Sequence, residues 1–217
     1  MVLVETLYFA SLRPDYSHIS RTISELGEAG APHANQVSFG FFLPVGLLVS
    51  LALWLVRREA SDKYASFALI ALSSLGLGYA MAAFFPCDPG GPYFGSWRTQ
   101  AHNVLGFIDY AGTGIGFLAV SRHFARRDMT FKAVAFLVAG VLVLLGLALL
   151  ALEAAFHVRG LIQRVTEVVQ FTGVFFVCYS LSRKKTANKS LQATRDGRSS
   201  SAIADDHSHR RWLISGR

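Results

Sequence analysis

"VSFGFFLPVGLLVSLALWLV", Val37 to Val56, is a run of twenty residues without a single charge. At 1.5 Å of rise per residue, a helix of that length crosses a hydrocarbon core of about 30 Å. Composition alone, 52% apolar in 217 residues with a positive mean hydropathy, suits either a large globular core or a membrane bundle. The uncharged run decides for the bundle. "ASFALIALSSLGLGYAMAAFF" (Ala65–Phe85) and "AVAFLVAGVLVLLGLALLALEA" (Ala133–Ala154) repeat the pattern, the latter with only Glu153 near one end.

Two further segments are long enough to span but carry charge. "HNVLGFIDYAGTGIGFLAVSRHF" contains Asp109, and "GLIQRVTEVVQFTGVFFVCYSL" contains Arg164 and Glu167. Charges inside a bundle are tolerated where they face protein or a water-filled cavity. The expected fold class is therefore all-α: a polytopic transmembrane helix bundle of five full spans, near residues 37–56, 65–85, 102–121, 133–154 and 160–181. The first twelve residues, "MVLVETLYFASL", are apolar but too short to cross, hold Glu5 in the middle, and lack the basic start and cleavage site of a signal peptide. They read as the remnant of a first apolar helix.

Orientation follows the Lys and Arg of the short loops. Arg57, Arg58 and Lys63, then Arg122, Arg126, Arg127 and Lys132, then Arg183, Lys184 and Lys185 fall on one side; only Arg13, Arg21, Arg98 and Arg159 fall on the other. The basic side is expected to be cytoplasmic, in a bacterial inner membrane, with the C-terminus inside. Residues 13–36 and the stretch "FFPCDPGGPYFGSW" then face outward. Of the net charge of +7, nine Lys or Arg against three Asp after Ser182 supply +6, so the bundle itself is nearly neutral and nucleic acid is not an expected partner. Residues 183–217 read as a disordered basic cytoplasmic tail. The stretch "ANKSLQATRDGRSSSA" within it is similar to translated repeats at the ends of open reading frames in bacterial gene cassettes. Cys87 and Cys178 lie toward opposite faces and should not pair, and no CxxC spacing suggests structural zinc.

The outward segment 13–36 is not of low complexity. Ser20, Ile23 and Leu26 repeat at helical spacing, and Gly27, Gly30 and Pro32 stop the run, so a short helix on the outer face is expected. "RPDYSHISRTISELGEAGAP" with Asn35, "FFPCD" at a span's end, His102 opening the next span and "GLIQR" opening the last together resemble the bacterial membrane family catalogued as domain of unknown function 998, over about residues 13–182. The resemblance implies six spans, one of them before the "YSH" segment, so the first would be truncated here. It supplies no reaction.

Given this topology, Tyr16, Ser17, His18, Ser24, Glu25, Asn35, Asp88, His102, Gln163 and Arg164 converge on the outer face. His102, Asp109, Thr113 and Gly116 share one helical stripe, and Gln163, Glu167 and Gln170 another. The intramembrane charges Asp109 and Glu167 demand partners, with Asp109–Arg164 or Glu167–Arg164 the natural pairs. Tyr79, Tyr110 and the glycines Gly76, Gly78, Gly112 and Gly114 read as packing groups.

Three uses of the cluster are open. Glu25, Asp88, His102 and Arg164 could form a network that docks the outer segment, explaining every residue without chemistry. The cluster could instead take a small solute, a proton or a lipid headgroup from the surrounding bilayer. In the third, Asp88 and His102 would help hold a divalent metal such as zinc for a membrane hydrolase of a lipid amide or ester, an arrangement distantly similar to the superfamily of alkaline ceramidases. That reading is short of histidines.

Overall fold

The computed structural model describes residues 2–58, 60 and 62–182; the expected tail lies outside the described residues. The chain divides into Met1–Cys178 and Tyr179–Arg217. The first unit contains the helical bundle; of the second, residues 179–182 are helical.

Five helices are long and apolar enough to cross a membrane: span 1 (Ala34–Arg57), span 2 (Lys63–Ala82), span 3 (Trp97–Ala125), span 4 (Thr130–Leu150) and span 5 (Glu153–Ser182). No strand occurs among the described residues. The protein is thus an all-α polytopic bundle. A leading helix, Val2–Ser11, precedes them, with Phe9 stacked on Phe41 of span 1.

Local chemistry sets the helix ends. Asp62 caps span 2 by accepting the Tyr64 N–H at 2.9 Å. Ser96 caps span 3, so that helix starts at Trp97 and His102 stands in its second turn. After a first α turn, Ala34–Val37, span 1 widens into a π-type turn, Ser38–Phe42, just before Pro44. Pro44 offers no N–H and its ring crowds the preceding turn, so the backbone widens there. Asp128, at φ 55°, makes the left-handed step in the tight link between spans 3 and 4.

Short connections make neighbouring spans antiparallel. Small residues let them close up: a Cβ on Gly46 would lie 2.4 Å from the Ala80 nitrogen, and one on Gly112 would lie 2.3 Å from Ser74 Oγ. Leu72, Leu75, Phe117 and Phe124 fill the interior, while Leu51, Trp54, Val141, Leu145 and Phe175 stand about half exposed around the outside. A water-facing surface would not carry such a belt. At the basic end, Arg58 lies over Trp54 and Arg126 over Tyr64, at 4.7 and 4.2 Å from the ring centres.

Candidate functional site

The end opposite the basic loops is closed by a cap made from residues 13–33 and the loop between spans 2 and 3. The expected outer-face helix is one 3-10 turn, Ile23–Gly27. It is pinned from below. The Glu25 carboxylate, 1% exposed, accepts the Thr22 N–H at 2.7 Å, the Thr22 hydroxyl at 2.9 Å and Arg159 Nη2 at 2.8 Å. Arg159 also donates to the carbonyls of Gly90 and Gly91, at 2.5 and 2.7 Å, and so ties cap, loop and span 5 together. Arg13 pairs with Glu28 and donates to the Glu25 carbonyl at 2.7 Å; Glu28 in turn accepts the Gly90 N–H at 2.7 Å.

Arg164 corrects the sequence expectation. It pairs with neither Asp109 nor Glu167. Its Nη1 donates to the carbonyls of His18, Arg21 and Gly160, at 2.9, 2.9 and 2.8 Å, and its Nη2 to the Tyr16 hydroxyl at 2.6 Å. Tyr16 passes the bond on to the Thr22 carbonyl at 2.7 Å. Burial pushes the Tyr16 phenol up to about 12, and burial with the Arg164 charge holds His18 below the usual imidazole value. The cap approaches so closely that a Cβ on Gly160 would fall 2.2 Å from the Arg21 carbonyl oxygen.

The remaining cap residues have local tasks. Ser17 Oγ accepts the Ser20 N–H at 3.3 Å, and Ser24 Oγ shares a 3.0 Å bond with Thr22 Oγ1. Asp88 accepts the Ser96 N–H and hydroxyl at 2.6 and 2.9 Å, which holds its carboxyl below the usual range and fixes the loop onto span 3. His102 Nδ1 faces the Phe85 carbonyl at 2.8 Å. Among the described residues no group of three His, Cys, Asp or Glu is arranged to hold a metal ion. Asn35 is exposed and joins none of these bonds. The Cys87 thiol is 2% exposed and is pushed by burial up to about 12, which leaves it unreactive.

Beneath the cap lies a cavity of about 70 Å³, walled by Ile23 and Ser24 from above, by Phe42, Gly78, Tyr79, Ala82, His102, Leu105, Gly106, Asp109 and Tyr110 from spans 1 to 3, and by Gln163 and Glu167 from span 5. Such a space has room for a few waters or a small polar group. Gln163 Oε1 accepts the Ile23 N–H at 2.6 Å and so joins roof to wall. Tyr79 donates to Glu167 Oε2 at 2.5 Å. Asp109 Oδ1 accepts Thr113 Oγ1 at 3.4 Å and Gln170 Nε2 at 3.2 Å, and a Cβ on Gly78 would lie 2.6 Å from Oδ2. Of the residues singled out in the sequence, Ser24, His102, Asp109, Gln163 and Glu167 therefore meet at one cavity. Tyr16, Ser17, His18, Glu25, Asp88 and Arg164 build its cap.

Sequence reasoning missed Arg159, Glu28 and Arg13, and it read Tyr79 and Tyr110 as packing groups only. One signal existed: Arg13 and Arg159 are basic residues on the side where basic residues are scarce.

Together, fold and site define a multi-pass helical membrane protein with a polar cavity roofed by an extramembrane cap. The chain belongs to the family described as protein of unknown function DUF998, whose model matches residues 1–180. No curated protein and no solved structure matches it.

Proposed function

We propose that this is a multi-pass protein of a bacterial inner membrane, cap outward and C-terminus cytoplasmic, whose cavity binds a small polar solute or a lipid headgroup. The observation that carries the reading is the placement of Asp109 and Glu167, each 5% exposed, on the wall of one cavity rather than in a closed ion pair. The charged side chains that dock the cap, Glu25, Glu28, Arg13, Arg159 and Arg164, all lie outside the cavity wall. Two buried carboxylates are costly in a bilayer and persist where they serve a ligand or a proton. The asymmetric distribution of Lys and Arg supports the orientation.

The test is thermal melting of the purified, detergent-solubilised protein against a panel of cationic, neutral and anionic solutes and of lipids. A ligand of the native cavity stabilises the fold by about 2.7 kcal/mol at a hundredfold excess over Kd, read as a melting temperature that rises with its concentration. The shift should be weakened about tenfold or more in Glu167→Gln. A panel without any stabilising member would overturn the reading.

A further inference from the structure

We infer that the cavity is a site for a primary ammonium group, carried by a small amine or by an aminophospholipid headgroup. The inference rests on the binding role proposed above and names its ligand. The cavity wall contains two carboxylates and no Lys or Arg. Among the described residues no basic side chain lies within salt-bridge distance of either carboxylate, and Arg164, one turn from Glu167, gives its Nη1 and Nη2 to main-chain carbonyls and Tyr16 while its Nε makes no hydrogen bond.

Most of the unused hydrogen-bonding capacity on the wall accepts. Asp109 Oδ2 accepts none of the bonds described, and Glu167 Oε1 has only the Gln163 amide beside it. His102 Nδ1 must carry its proton to meet the Phe85 carbonyl, so in the neutral ring Nε2 is left as an acceptor. Independently, Tyr110 is 6% exposed and stands on the cavity wall, and its hydroxyl has no hydrogen-bond partner; the Gln163 amide beside it falls outside bonding geometry. A buried hydroxyl without a partner costs free energy that a bound group would recover.

The complement to such a wall is a compact cation with several N–H donors. An R–NH₃⁺ group offers three donors and one positive charge in a volume of a few waters. A quaternary ammonium offers the charge without the donors, and a guanidinium demands a planar fork.

The experiment titrates the full chain with methylammonium and ethanolamine, against tetramethylammonium and choline as controls whose ammonium carries no N–H, and follows melting temperature. A parallel arm compares nanodiscs of phosphatidylethanolamine with nanodiscs of phosphatidylcholine. Primary ammonium probes should stabilise saturably and the controls should not. Glu167→Gln should weaken the effect about tenfold or more. Tyr110→Phe, which removes a single hydroxyl and spares the charge, should weaken it about fivefold. Stabilisation by free ethanolamine assigns a soluble amine, and stabilisation only in phosphatidylethanolamine discs assigns the headgroup. Equal effects of primary and quaternary probes, or stabilisation only by neutral or anionic solutes, overturns the ammonium assignment while the cavity reading stands. If no compound of any class stabilises the protein, both fall.

Discussion

The pair Arg159–Glu25 carries most of the logic at the scale of single residues. Both side chains are buried, at 7% and 1% exposure, and each is also bonded to main chain. Removing one partner of such a pair strands the other charge. Arg159→Met is expected to cost about 3–5 kcal/mol, read as a drop in melting temperature in detergent, and pairing it with Glu25→Gln should recover part of the loss. An unchanged melting temperature in Arg159→Met would show that the pair does not hold the cap. None of this partnership was legible in the sequence. Glu25 stood out as polar within an ordered segment, but its partner lies 134 residues away, and Arg164 drew attention because it fell beside the Gln163–Glu167 stripe. Helical spacing shows which residues share a face; it does not tell a carboxylate partner from main-chain carbonyls that only the folded cap supplies.

At the scale of elements, the spans were readable because length and absence of charge are imposed by the bilayer. Their ends were less so. The third span was expected from residue 102, whereas Ser96 caps the helix at Trp97 and Asp88 fixes that cap. The corresponding cap at the basic end is Asp62, which accepts the Tyr64 N–H, meets His123 Nδ1 at 2.6 Å and faces Arg127 Nη2 at 3.5 Å. These contacts, the Tyr64 bond first, hold its carboxyl below the usual range. A carboxylate with a depressed value in the fold contributes stability that is complete above its unfolded pKa of about 3.9 and is lost as pH falls through the folded value. Protection from hydrogen exchange over residues 62–66, corrected for the intrinsic rate at each pH, should therefore fall once pH drops below about 4. In Asp62→Asn that protection should be lower at neutral pH and less sensitive to acid. Identical pH profiles for the two proteins would remove Asp62 from this role.

For the whole molecule, the two ends differ in how they treat charge. The basic end pairs Arg127 with Asp62 but leaves Arg58 and Arg126 on aromatic faces. In the cap, Arg13 and Arg21 are matched by Glu28 and Asp15, and Arg159 by Glu25. Orientation can be checked with cysteines introduced at the two ends, because Cys87 is buried and its thiol is unreactive. Phe94→Cys, at a position 90% exposed beside the cap, should react with a membrane-impermeant maleimide in intact cells; Phe131→Cys, at a position 87% exposed at the basic end, should react only after permeabilisation. The reverse pattern would invert the proposed topology. The separation of Glu25 from Arg159 also bears on biogenesis. Glu25 leaves the ribosome before four spans have been made, and the arginine that seats it belongs to the fifth. The roof therefore cannot close until the last helix has entered the membrane, and a closed roof is the molecule's own record that insertion is finished.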